Sequence, residues 1–434
     1  MRVYEQVYEY YVKQMEEGTL ASGSRIPSLR ETEKMLHVSR TSVETAYLQL
    51  MADGYIYSVE KVGYFVSDMM PQAASEKAEP EDGTVQTQLR YNLAAIGEDR
   101  RCSCLELWRR YMKSALRQEE RLLSYAANRG EEELRREIAS YVRKQRNIIC
   151  SPEDIVIGAG FQSLLMILMA MVDGEKSVSF PTNDFGDGAA VFRNGGYDVR
   201  FRDKSCHIIY VTPSYMTKWG DVMSMNRRYE LVVHAKEGGH LIIEDDYQNE
   251  FVFSQTPTPS LYVMSGGEQV AFLGSFSRIL LPSVRISYLI LPKGYRKRYE
   301  KVMHLYNQTA SKAEQIALAQ FLRDGHLRGH VRKNARLYEN KRRVFRSLLL
   351  EAFDGRAEIL FGKSGMEAEL VFPREDEVVK RLQEAEIAVE VLQETKKETK
   401  LLLSCSILPE EELQQAVYAM KQAIYGAASK PSEV

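Results

Sequence analysis

No apolar run in this 434-residue chain is long enough to span a bilayer. Neither sign of charge prevails: Lys plus Arg number 58 and Asp plus Glu 60, for a formal charge of −2. That balance gives no global attraction to nucleic acid or membrane, so any basic surface must be local. Cysteine is scarce, and Cys102, Cys104, Cys150, Cys206 and Cys405 are scattered and odd in number. Such usage fits free thiols in a reducing compartment rather than a disulfide framework. The lone Cys-x-Cys at Cys102 and Cys104 has no further Cys or His at ligand spacing and reads as two thiols, with no metal site expected. Internal repeats are absent. The stretch MRVYEQVYEYYVKQMEEG is amphipathic and acidic, unlike a secretory signal. The expectation is a cytoplasmic protein of two or three domains.

Residues 1–68 read as one of these. Val3, Val7, Tyr10 and Tyr11 lie at helical spacing in a helix from Val3 to Met15, ended by Glu17-Gly18. Pro27-Ser28-Leu29-Arg30 opens a second helix to about Leu36, with Pro27 near its first turn, where a missing N–H costs nothing. Val38-Ser39-Arg40-Thr41-Ser42-Val43 opens a third, capped by Ser39 or Thr41, with Val43, Tyr47, Leu50 and Met51 inward. Gly54 to Ser58 and Gly63 to Val66 form a hairpin. This helix-turn-helix and wing resemble the DNA-binding head of GntR regulators, whose Pro-Ser-x-Arg, Val-Ser-Arg-x-x-Val and Gly-Tyr…Gly-x-x-Val patterns cover the block in order and spacing. The resemblance implies double-stranded DNA as partner. Arg30 and Arg40 would face it at helix N-termini, Ser39, Thr41 and Ser42 would add hydroxyls, and Lys61 and Gly63 would lie on the wing. Acidic residues outnumber basic ones in the block, and Glu44 takes a position often basic in relatives. A head used only for protein contact is the competing reading.

Residues 69–88, polar and aperiodic, read as a tether. From 89 to 434 helical patterns alternate with short apolar strands, which argues for an α/β domain with a mainly parallel sheet and a smaller C-terminal subdomain from about residue 320. Glu106 to Arg117 and the stretch after Gly130 to Arg143 read as helices. Asp154 to Ile157, Gly158-Ala159-Gly160 and an apolar helix from Phe161 to Val172 make a strand, glycine turn and helix that can cradle a phosphate. Further strands are Ser177 to Phe180, His207 to Val211, Leu241 to Ile243 and Val270 to Gly274. Pro181, Thr212-Pro213-Ser214, Glu244 to Tyr247 and Ser275 follow at their carboxyl ends, where ligands of open α/β sheets bind.

These residues resemble fold type I aminotransferases. Asn128-Arg129-Gly130 with Leu134-Arg135, Thr212-Pro213-Ser214, the run Glu244 to Phe251, and Gly325 to His330 carry the likeness, together with Ser275, Ser277, Arg278 and Arg285. With the head fused, the chain resembles the MocR-type subfamily of GntR regulators. The place of His326 and His330 in that pattern makes them part of an ordinary helix rather than a metal site.

The resemblance implies pyridoxal phosphate as cofactor. Gly160, Ser275 and Arg285 would hold its phosphate, Asp245 its ring nitrogen and Tyr247 its ring hydroxyl, with Phe185 a candidate for stacking on the ring. At the position of the imine-forming lysine stands Arg278. A guanidinium stays protonated, with a pKa above about 12, and supplies no amine nucleophile. The strand that carries a substrate-carboxylate arginine in the family has Leu402 there, and Phe161 follows the Gly160 turn where relatives prefer a small residue. Lys218, on a loop, is the one lysine offered as a substitute.

Two roles for Arg278 stay open: it pairs with the buried carboxylate of Asp245 and plugs the site, or it joins Arg285 in binding a phosphate or carboxylate ligand without a covalent bond. The expected function is a homodimeric DNA-binding regulator. Its aminotransferase-like domain, a pseudo-enzyme without catalytic residues, would serve dimerisation or the sensing of a small anion, with pyridoxal phosphate bound at most non-covalently. An active pyridoxal-phosphate enzyme using an unusual lysine is the alternative.

Overall fold

The structure is a computed structural model that describes residues 3–59, 62–67, 89–94, 99, 104–182, 186–217, 220–246, 258–362, 366–373 and 377–426. The chain divides into two compact units, Met1–Thr87 and Gln88–Val434.

In the first unit three helices, α1 (Val3–Glu16), α2 (Leu29–Leu36) and α3 (Arg40–Ala52), pack with an antiparallel sheet. Its strands are β1 (Arg25–Ile26), β2 (Ile56–Val59) and β3 (Gly63–Val66), in the order β1-β3-β2. Ser28 starts α2 through a capping box: its hydroxyl accepts the Glu31 N–H, and the Glu31 carboxylate accepts the Ser28 N–H at 2.7 Å. Pro27 therefore precedes the cap instead of sitting in the first turn. His37, in the left-handed region at φ 53, ends α2. Ser39, not Thr41, caps α3. Val7, Tyr11, Val43, Tyr47, Leu50, Ile56 and Val66 make the core.

One polar chain runs through that core. Tyr47 donates to the Pro27 carbonyl at 2.7 Å, so the 2.8 Å bond between Thr32 and Tyr47 uses the Thr32 proton. Tyr11 then donates to Thr32 at 2.6 Å. Thr32 is fully buried, and this relay ties α1, α2 and α3 together.

The second unit starts with a short strand β4 (Tyr91–Asn92). A seven-stranded sheet follows, made of β5 (Ile155–Gly158), β6 (Ser177–Phe180), β7 (Asp198–Phe201), β8 (Ile208–Val211), β9 (Leu241–Asp245), β10 (Val270–Ser275) and β11 (Ser287–Ile290), in the order β5-β11-β10-β9-β8-β6-β7. Only β11 runs antiparallel to its neighbours. Alternation sends Ile155, Ile157, Ile242, Val270 and Phe272 into one core and Val156, Leu241, Ile243, Ala271 and Leu273 into another, so both faces are covered. Three strands extend beyond expectation: β9 reaches Asp245, β10 reaches Ser275, and β5 ends on Gly158.

A third core belongs to the C-terminal subdomain. Its antiparallel sheet has the order β12-β13-β16-β15, from β12 (Glu358–Phe361), β13 (Glu367–Pro373), β15 (Glu390–Glu394) and β16 (Glu398–Ser404), packed with helices His326–Phe353 and Glu410–Tyr425. Between β13 and β15, β14 (Ile387–Ala388) pairs with β4, and Tyr91 and Leu93 lie in this same core. This core thus takes in Tyr91 and Leu93 as well as residues from Leu337 onward, whereas Phe321 and Leu327 belong to a core of the large sheet.

Candidate functional site

The parallel strands aim their carboxyl ends at one place. Asp245 closes β9, where neighbouring β8 brings Tyr210, and the Tyr210 hydroxyl donates to the Asp245 carboxylate. Phe180 stacks on Tyr210 with ring centroids 4.7 Å apart. Burial pushes the Asp245 carboxyl up to about 7, against the Tyr210 bond, with the charge of Asp246 adding to the rise. Asp246 accepts from Arg146 at 2.7 Å and from Ser214 at 3.0 Å. Glu244 accepts the N–H groups of Leu261 and Tyr262, each at 2.9 Å, and burial lifts it also to about 7.

At the next strand end, the Ser275 hydroxyl accepts from the Ser277 N–H at 3.3 Å and the Ser287 hydroxyl at 3.1 Å. The helix Phe161–Met171 begins at Gly160, which has φ 90 and makes no side-chain cap. A Cβ on Gly160 would meet the Arg285 guanidinium at 2.9 Å, so only glycine lets that cation lie against the first turn. Arg285, Gly160 and uncapped helical N–H groups together suit an anion. Phe161 packs against the core beside Phe180.

Arg278 lies between β10 and β11, with its side chain 15% exposed. It does not pair with Asp245: its Nη2 lies 3.4 Å from Oε1 of Glu367, whose side chain is fully buried. Glu367 also accepts from the Tyr215 hydroxyl at 2.7 Å, the Met366 N–H at 2.8 Å and the Ser404 hydroxyl at 3.4 Å. Of the two roles left open for Arg278, the pairing with Asp245 is absent, and β13 presents instead a carboxylate that sequence spacing could not bring near. Nε and Nη1 of Arg278 are buried and have no hydrogen-bond partner among the described residues. In the register of β13 and β16, Glu367 faces Ser404 and Glu369 faces Leu402. The position read as a lost arginine is therefore an apolar residue beside buried acids. Tyr247, Phe185 and Lys218 lie outside the described residues.

In the first unit, Arg30 and Arg40 are exposed in the first turns of α2 and α3. The Ser39 hydroxyl bonds those of Thr41 at 3.0 Å and Ser42 at 2.8 Å. Arg40 donates through Nε to Glu44 at 3.0 Å. Gly63 is held at φ 140, and a Cβ there would meet Nε of Arg25 at 3.0 Å. Lys61 lies outside the described residues.

Bacterial regulatory proteins of the gntR family match residues 3–66, and aminotransferase class I and II matches residues 96–420. The uncharacterized HTH-type transcriptional regulator YdeL of Bacillus subtilis (strain 168) is 32% identical over 364 residues, covering 79% of this chain and 78% of that protein. The chain belongs to the gntR-type transcriptional regulators that carry an aminotransferase domain. The probable rhizopine catabolism regulatory protein MocR of Rhizobium meliloti is 27% identical over 87% of this chain and 84% of its own. An archaeal alanine:glyoxylate aminotransferase shares the fold, at TM-score 0.68 and 20% identity, over 78% of this chain and 91% of that one.

Several residues of the regulator's sites escape a linear reading. Tyr210 is an ordinary apolar-strand residue until β8 and β9 pair. Arg25 precedes the helix-turn-helix, and only the β1–β3 pairing sets it over the wing glycine. Glu367 had a signal that could have found it: Glu367-Ala368-Glu369-Leu370 alternates acid and apolar inside a strand. Among the described residues, no group of side chains could hold a metal ion, and no helix is long and apolar enough to cross a membrane. His330 instead bonds Asn334 at 3.1 Å within its helix.

Proposed function

We propose that the regulator binds duplex DNA through α2, α3 and the wing, and that its aminotransferase-fold unit senses a small anion without catalysing transamination. The observation that carries the second half is Arg278. A buried guanidinium with Nε and Nη1 unpartnered among the described residues is costly unless an acceptor meets it. Ligand carboxylate or phosphate oxygens would meet those two donors, which lie on different edges of the guanidinium.

Pyridoxal phosphate fits in part. Gly160, the helix start and Arg285 suit its phosphate, and Asp245 suits a protonated ring nitrogen. Its covalent attachment does not fit, because Arg278 offers no amine. Leu402 beside Glu369 also disfavours a substrate carboxylate. The reading is of a pseudo-enzyme, homodimeric so that two heads meet two half-sites.

The test uses the full chain. Wild type incubated with pyridoxal phosphate and then borohydride should gain no covalent mass, whereas Arg278→Lys should. A wild-type adduct mapping to a lysine such as Lys218 would sink the pseudo-enzyme half. Absence of any salt-sensitive, sequence-preferring DNA binding would sink the regulator half.

A further inference from the structure

The outward face of α3 has an unusual chemical inventory for a helix that meets DNA. Val43, Ala46, Tyr47 and Leu50 are buried, which leaves Arg40, Thr41, Glu44, Thr45, Leu48 and Gln49 facing out. Several donors on that face are already engaged, although Arg40 commits only one of its guanidinium nitrogens. Arg40 gives Nε to Glu44 at 3.0 Å. Gln49 gives its amide to both carboxylate oxygens of Asp53, at 3.1 and 3.0 Å. Thr45 gives its hydroxyl proton to the Thr41 carbonyl at 2.8 Å, which leaves its methyl and an oxygen able only to accept. Leu48 is 63% exposed. Glu44 keeps one carboxylate oxygen outside its ion pair, and its side chain is 42% exposed. Beyond the first turn the face thus offers an acceptor at 44 and apolar groups at 45 and 48.

Base edges in the major groove sort these groups. Cytosine presents an N4 amino donor without a neighbouring acceptor, whereas guanine presents two acceptors, and adenine sets its N7 acceptor beside its amino group. A carboxylate is repelled by guanine and compromised by adenine, so it favours cytosine. Methyl and isobutyl groups favour the thymine C5-methyl. Residues 44, 45 and 48 span about 6 Å of helix, close to two base steps of roughly 3.4 Å. Arg40 offsets the charge of Glu44 near the phosphates.

We infer that α3 reads two pyrimidines about two steps apart on one strand, with Glu44 selecting a cytosine and Thr45 with Leu48 selecting a thymine, while Arg40 anchors and neutralises rather than reading guanine. This rests on the DNA-binding reading above and adds the bases that it recognises.

The experiment is selection of binding sites by the full chain from a random duplex pool, followed by affinity measurements on the selected site. Each half-site should hold a cytosine and a thymine within two or three steps. Glu44→Ala should reduce discrimination for that cytosine from roughly tenfold to near unity. Deoxyuridine in place of the thymine, which removes only the C5-methyl, should weaken wild type by roughly threefold or more and leave Leu48→Ala indifferent. Selection of a guanine whose preference vanishes in Arg40→Ala, or unchanged preferences in Glu44→Ala and Leu48→Ala, would overturn this inference while DNA binding stood. If wild type selects nothing and shows no salt dependence, the DNA reading falls and takes this one with it.

Discussion

Replacing Glu367 by alanine should loosen the larger unit more than any change on its surface. The carboxylate is fully buried and accepts from Arg278, Tyr215, Met366 and Ser404. Removing one member of a buried ion pair costs about 3–5 kcal/mol. The 3.4 Å separation and the 15% exposure of Arg278 pull the ionic part toward the lower end. The Tyr215 hydroxyl, left without its charged acceptor, adds back about 1.5 kcal/mol. The net is about 4 kcal/mol. A unit of this size unfolds with an entropy of about 0.7 kcal/mol/K, so its melting temperature should fall by about 5–6 °C. Glu367→Gln keeps the shape and one acceptor oxygen and should cost about 1–2 kcal/mol. Calorimetry on the full chain, following the transition of the larger unit, reads both. Paired Arg278→Leu and Glu367→Leu should cost less than their single changes sum to, because neither leaves a buried charge alone. An alanine variant melting within 1 °C of wild type, or a strictly additive pair, would refute the reasoning.

Thr32→Val should cost about 1–3 kcal/mol in the smaller unit, since the Tyr11 hydroxyl loses its acceptor and Tyr47 loses a donor; the low-temperature or high-temperature transition that moves identifies that unit. Asp245 and Glu244 titrate near about 7 in the fold, above ordinary carboxylates, because they are buried. The native state therefore holds protons that the unfolded chain releases. Stability is fully present below the ordinary carboxylate range and is lost as pH rises through about 7. Melting temperatures from pH 5 to 8 should decline, and Asp245→Asn should flatten the decline. Arg40→Ala should weaken DNA binding and lower the slope of log affinity against log salt by about 1, as measured by titrations at several salt concentrations.

The head was nearly all legible in sequence. Its signals are local: Ser28 with Glu31, Ser39 with Ser42, and the wing glycines act within a few residues of where they stand. The alternating cores of the large sheet were legible for the same reason, each strand being a continuous apolar run. What escaped was assembled by long-range pairing. Asp245 is one of two partners that the sequence offers Arg278, as a buried carboxylate in need of a cation, yet β13, 89 residues further on, supplies the acceptor. Tyr210 gained its role from lying one strand away from Asp245. Arg25 was invisible as a neighbour of Gly63 until two short strands paired. Aminotransferase-like motifs name individual residues, while hydrogen-bond partners depend on register between segments that share no local pattern.

The pairing of β4 with β14 has a mechanical meaning. Tyr91 and Leu93 are the first described core residues after the tether, and they are embedded in the C-terminal core rather than in the large sheet. The strand β4 is thus held in the subdomain whose β13 carries Glu367. Any rotation of that subdomain against the large sheet would carry β4 through the same angle, whereas a strand paired into the large sheet would stay still.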